Sequence, residues 1–181
     1  MAVPERLAWA VKTLAVDPAD RVLEIGCGRG VAVDLVCDRL VDGTITAVDR
    51  SEKAIDAARR RNARNVAAGK AVLSVAALED GAFEDDSFDK IFAVNVNLFW
   101  SRSPAKEMEL LKRWPAPGGG LYLFYEPPGA GRAREIAEKC PRRRRARSGR
   151  HRAGESSLDA GTPGVRRGQG VLRRPDRGSA T

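Results

Sequence analysis

Three glycines and two carboxylates carry the most legible chemistry in this chain. Gly26, Gly28 and Gly30 follow an apolar run, Arg21–Ile25, and precede a helical pattern that begins at Val31. Glycine lets a backbone turn sharply and approach a ligand closely, and the start of a helix adds N–H groups without intrahelical partners. A strand, a G-x-G-x-G turn and a helix in that order predict a nucleotide or nucleoside site. Asp49 stands 19 residues after Gly30, at the end of a second apolar run, Thr44–Val48. A carboxylate there can accept both hydroxyls of an adenosine ribose; the plainer alternative is a solvated loop aspartate. Glu24 lies two residues before Gly26 and points toward the turn. A dinucleotide pyrophosphate would repel it, whereas a cationic sulfur and an ammonium group would attract it. Its plainer alternative is a salt-bridged or helix-capping carboxylate.

The elements that must position these residues alternate along the chain. Leu7, Ala8, Val11, Leu14 and Ala15 recur at helical spacing after Pro4. Arg21–Ile25 reads as strand one, Val31–Leu40 as a helix and Thr44–Val48 as strand two. Ser51 suits a helix N-cap, and the helix is expected to run to Arg64. Ala71–Val75 is strand three and Phe88–Val94 strand four. A helix from Ser103 and Pro104 to about Trp114, a tight turn over Pro115–Gly120 and a fifth strand, Leu121–Tyr125, follow. Arg132–Lys139 could form one more short helix. Strands apolar on both faces belong in a parallel sheet covered by helices. The expected architecture is α/β, an open doubly wound sheet with ligands at the carboxyl ends of its strands.

At these residues the chain resembles a known family. Glu24-Ile25-Gly26-Cys27-Gly28-Arg29-Gly30 is similar to the first motif of the class I S-adenosylmethionine-dependent methyltransferases. Asp49 matches their acidic residue after strand two, and Asp85–Phe92 resembles the segment leading into strand four. Leu111–Phe124, with Pro117-Gly118-Gly119 ahead of the strand, resembles the entry to strand five. The resemblance covers about Arg21 to Pro127. It implies a Rossmann-like, mostly parallel sheet and S-adenosylmethionine as cofactor. It implies that Gly26, Gly28 and Gly30 wrap the methionine part of the cofactor and that Asp49 binds the ribose, with Arg50 flanking the adenine. Many members carry an acid facing the adenine amino group where this chain has Ala77 beside Leu78, so backbone groups and the apolar face of Leu78 would hold the adenine instead. Glu79 and Asp80 are close by.

The substrate is expected beyond strand four. Asn95 and Asn97 can donate and accept hydrogen bonds there, and Asn95 is counted with the cofactor-binding residues. Phe99 and Trp100 could wall a pocket; alternatively both pack into the core and one Asn only ends the strand. The segment lacks the Asn-Pro-Pro-aromatic sequence of enzymes that methylate nucleobase amino groups, which points to a small-molecule acceptor. Glu126 is a further, weaker substrate contact. Methyl transfer can proceed largely by positioning, so it does not require a Ser-His-Asp or Cys-His set.

Charge divides the chain. Residues 1–131 hold 17 Lys or Arg against 19 Asp or Glu, whereas residues 132–181 hold 15 against 5, and no aromatic residue follows Tyr125. A segment so poor in large apolar groups cannot offset the entropy of ordering. We therefore divide the chain into a cofactor-binding core, 1–140, and a basic, disordered tail, 141–181, that lacks the family's usual C-terminal edge hairpin. Three accounts fit the tail: an arm that binds nucleic acid by counterion release, an inert extension, or the product of a shifted reading frame. Each leaves the flank of strand five open and activity impaired. A nucleic-acid-binding protein acting through the tail, and an NAD-dependent oxidoreductase, are the alternative functions. Cys27, Cys37 and Cys140 match no common zinc spacing, and the single histidine is His151. No metal site is expected, and reduced cysteines suit a cytoplasmic setting. No run reaches the ~20 apolar residues that span a bilayer.

Overall fold

The computed structural model describes residues 2–96 and 105–125 and the strand 168–173. Six strands form one sheet: β1 (Arg21–Ile25), β2 (Thr44–Asp49), β3 (Ala71–Val75), β4 (Phe88–Val94), β5 (Pro115–Tyr125) and β6 (Gly168–Arg173). Their spatial order is β3-β2-β1-β4-β5-β6. The first five run parallel, and β6 lies antiparallel to β5. The helices are α1 (Glu5–Leu14), α2 (Val31–Cys37), α3 (Glu52–Arg61), α4 (Ala63–Ala67) and α5 (Ala105–Arg113). This is the doubly wound, mostly parallel α/β sheet that the alternating pattern predicts.

Strand periodicity divides the interior into two layers. Val22 of β1, Phe92 of β4 and Tyr122 and Phe124 of β5 face one core, which α1, α2 and α3 close with Val11, Leu14, Val33, Val36 and Ile55. Leu23, Ile25, Ile91, Ala93, Leu121 and Leu123 face the other, closed by Leu111 of α5 and by Trp114. Trp114 is among the largest fully buried side chains and meets Phe83 edge-on at 5.0 Å between ring centroids.

Local chemistry sets the boundaries. Ser51 caps α3, its side chain accepting from the Ala54 N–H at 3.2 Å. The helix expected over 51–64 is two helices, because Asn62 leaves the helical region at φ −101° and ψ 22° and its side chain turns into the fold. α2 ends at Cys37 rather than Leu40. Pro115–Gly120 is not a separate turn but the irregular start of β5. The register moves from Phe88 opposite Pro115 to Lys90 opposite Gly120, so the extra residues bulge.

The stretch read as a disordered tail contains one strand, a correction to that reading, while the pair that would form an edge hairpin is not found among the described residues. Residues 168–173 pair along β5 from Tyr125 opposite Gly168 to Gly120 opposite Arg173. Backbone pairing to an open edge satisfies N–H and C=O groups without a hydrophobic period. The glycines at 168 and 170 blur that period in the sequence, and the flank of β5 is not left open as expected. The helix expected over 132–139 and the charged stretch 141–167 lie outside the described residues.

Candidate functional site

The parallel strands deliver their carboxyl ends to one edge of the sheet, where the glycine turn joins β1 to α2. Gly26, Gly28 and Gly30 all have positive φ, at 70°, 53° and 71°. The turn is strapped to β2: the N–H groups of Gly26 and Cys27 donate to the Val48 carbonyl at 2.8 and 3.1 Å. A side chain at Gly30 would lie 2.6 Å from Asn62 Nδ2 and 2.8 Å from Ala58 Cβ, so α3 leaves no room for one. Nothing lies within 4 Å of the corresponding position at Gly28. The turn is thus packed shut at its α2 end and open at its middle.

Asp49 joins three elements. Its Oδ2 accepts from the Gly28 N–H and its Oδ1 from the Ser51 N–H, both at 2.9 Å. The carboxylate is therefore fixed between the turn and the start of α3, and each oxygen retains acceptor capacity.

Glu24 is buried at 3% exposure, and its Oε2 has no hydrogen-bond partner. Burial, with the Asp49 charge as a second cause, pushes its carboxyl from the ordinary 4.5 up to about 8. An unpaired buried carboxyl on the wall of a pocket suits a cationic group that would complete it. The salt-bridge alternative fails for Glu24, because no cation pairs with it among the described residues. The Cys27 thiol is driven upward, first by burial and then by the charges of Glu24 and Asp49. That suits a packing role in the turn and not nucleophilic chemistry.

A pocket of about 340 Å³ opens on this turn, lined by Glu24, Gly26, Cys27, Gly28 and the end of β4 at Val94 and Asn95. Asn95 ends that strand in the left-handed region, at φ 55°, with its N–H donating to the Phe124 carbonyl at 2.8 Å. Of the residues singled out in the sequence, Glu24, Gly26, Gly28 and Asn95 lie together around this pocket. Gly30 closes the turn beside it. Asp49 reaches it through Gly28, and Arg50 is exposed next to Asp49. Ala77 is half-buried at the start of a 3₁₀ turn, and Leu78 is buried in the core with Ile25 and Trp114. Neither lines this pocket; they lie beyond β3, with the Ala76 N–H donating to the Asp49 carbonyl at 3.1 Å. Asn97, Phe99, Trp100 and Glu126 lie outside the described residues.

Two features were missed. Asn62 holds the turn from behind, its Nδ2 donating to the carbonyls of Gly30 and Ala58, each at 2.9 Å. A polar residue four positions after the inward Ala58 could have signalled the break, but the surrounding charges masked it. The second is the amino-terminal wall, where α1 brings Arg6 and Leu7 to the pocket. No local motif marks those residues.

Known proteins resemble this chain in sequence and in fold. A family model described as a methyltransferase domain matches residues 22–119. The chain is 33% identical over 119 residues to a ubiquinone/menaquinone biosynthesis C-methyltransferase of Geotalea daltonii, covering 64% of this chain and 49% of that one. It is 34% identical over 141 residues to a protein-L-isoaspartate O-methyltransferase of Methylorubrum populi, covering 77% and 61%. Among solved structures, an S-adenosylmethionine-dependent O-methyltransferase from Thermotoga maritima superposes with a TM-score of 0.60 at 16% identity, over 77% of this chain and 49% of that one. The YcgJ protein of Bacillus subtilis gives 0.58 at 21%, over 67% and 50%. The chain spans between 32% and 61% of the curated relatives it matches.

Proposed function

The chain belongs to the methyltransferase domain family, and from that membership we propose that it binds S-adenosylmethionine at the glycine turn and directs its methyl group to a small molecule. The observation that carries the proposal is the unpaired carboxyl of Glu24, buried on the pocket wall beside an open glycine turn. The residues present fit the cofactor. Glu24 offers a buried carboxyl that the cationic end would hold ionised, and the open space at Gly28 admits its backbone-hugging part. Asp49, oriented by the Gly28 and Ser51 N–H groups, presents acceptor capacity to the ribose hydroxyls.

When bound, S-adenosylmethionine supplies a methyl group on a cationic sulfur, electrophilic toward a nucleophile in line with the carbon–sulfur bond. The chain supplies position and environment. Asp49 and the three glycines fix one partner of the reaction against the sheet edge. Asn95 extends from β4 toward the same pocket and is placed to orient an acceptor. Apolar walls at Leu7, Val31 and Val94 keep water from the reacting groups. Arg50 flanking the adenine, with Ala77 and Leu78 beneath it, belongs to this reading. So does a cytoplasmic setting, supported by the buried free thiols of Cys27 and Cys37. A dinucleotide is disfavoured because its pyrophosphate would face Glu24.

Calorimetric titration with S-adenosylhomocysteine, with NAD as control, tests the proposal. Saturable binding of the first alone is expected. Binding of NAD, or of neither by a cooperatively folded protein, would overturn it.

A further inference from the structure

The mouth of the pocket has a charge pattern to which the roles given above to Glu24, Asp49 and the glycines assign no part. Arg6 on α1, Arg29 in the glycine turn and Arg61 at the end of α3 all line it. They come from three separate elements and are exposed. None makes a hydrogen bond or ion pair with another described residue, whereas Arg21, Arg59 and Arg113 elsewhere are each held by a partner. The one acidic residue in the lining is Glu24, which sits at the buried end. The pocket therefore has a buried carboxyl at its floor and a mouth of three guanidinium groups without a partner among the described residues. Between them lie the apolar side chains of Leu7, Val31 and Val94.

Three like charges around one opening repel one another unless an anion stands among them. Guanidinium groups match carboxylate and phosphate oxygens with forked N–H donors, and such charge-assisted bonds are the strong ones. We propose that Arg6, Arg29 and Arg61 form an anion site that selects a methyl acceptor carrying a carboxylate or phosphate on a small apolar body. The anion is held at the mouth, the apolar body lies against Leu7, Val31 and Val94, and the nucleophile is directed inward past Asn95. This inference rests on the cofactor reading given above. It adds the class of acceptor: an acid rather than a neutral or cationic molecule.

The test uses the full chain and two matched probes, benzoate and benzamide, which share an apolar ring and differ in charge. Saturation-transfer NMR is recorded on protein already saturated with S-adenosylhomocysteine, so a failure of the cofactor reading shows itself first as no binding of that ligand. Benzoate is expected to bind and benzamide not. Arg29→Gln and Arg61→Gln are each expected to weaken benzoate by roughly tenfold or more; both residues are exposed, so folding is preserved. Added salt should weaken benzoate further. Equal binding of the two probes, or of neither, overturns the proposal. So does benzoate that competes with S-adenosylhomocysteine, together with arginine variants that weaken S-adenosylhomocysteine but not 5′-methylthioadenosine. That result would assign the three arginines to the amino-acid carboxylate of the cofactor.

Discussion

Replacing Glu24 with Gln separates what the buried carboxyl does for function from what it does to stability. In the folded chain the carboxyl holds its proton up to about pH 8, against 4.5 for an ordinary glutamate. Between those values the folded state binds more protons than the unfolded state, so stability falls as pH rises. Each pH unit is worth about 1.4 kcal/mol, which makes the loss at most about 5 kcal/mol by pH 8. That is a large part of the ~5–15 kcal/mol that holds a typical domain together. Among the described groups with a resolved shift, Glu24 alone titrates in this window; Asp89 is lowered and Lys90 raised, away from it. Urea unfolding at intervals from pH 5 to 8.5 should show the native protein losing stability steadily and Glu24→Gln holding nearly level. The same variant should bind S-adenosylhomocysteine at least tenfold more weakly, because the ammonium group loses its partner. Parallel pH profiles for the two proteins would refute the argument.

The glycine turn and its supports yield further predictions. Gly30→Ala should cost about 2–5 kcal/mol, from left-handed strain plus the clash with Asn62 and Ala58, read as a lower denaturation midpoint. Gly28→Ala meets no neighbour, so it should cost only about 1–2 kcal/mol yet lose S-adenosylhomocysteine binding, because its methyl group occupies the ligand's space. Asp49→Ala leaves the Gly28 and Ser51 N–H groups without their acceptor; about 1–3 kcal/mol of stability and most of the calorimetric signal should disappear. Trp114→Ala, at the centre of the second core, should cost about 3–5 kcal/mol without changing cofactor affinity in the fraction that remains folded.

Residues that act through local backbone chemistry were legible in the sequence. The run Arg21–Ile25, the glycines after it and Asp49 at the end of Thr44–Val48 specify a strand, a turn and a strand end with little help from the rest of the chain. Strands β1, β3 and β4 fall where their apolar runs place them. What was not legible depends on contacts between distant segments. Asn62 is one polar residue among the charges of α3, and only the packed structure shows its amide reaching Gly30. Arg6 and Arg61 are ordinary surface arginines until α1 and α3 bring them to one opening. β6 is recruited by the open edge of β5, a backbone interaction that leaves no hydrophobic signature in residues 168–173. The irregular start of β5 was read as a turn because Pro115, Pro117 and three successive glycines are turn formers, and the sheet takes them up as a bulge.

The central claim is that the glycine turn, Asp49 and Glu24 form one cofactor pocket. The most direct test is to follow the amide resonances of uniformly ¹⁵N-labelled protein while S-adenosylhomocysteine is added. The account predicts that the largest shifts fall on Gly26, Gly28, Ser51 and Asn95, and that they saturate together. Shifts clustered elsewhere on the sheet, or none at these four amides while the ligand binds, would contradict it.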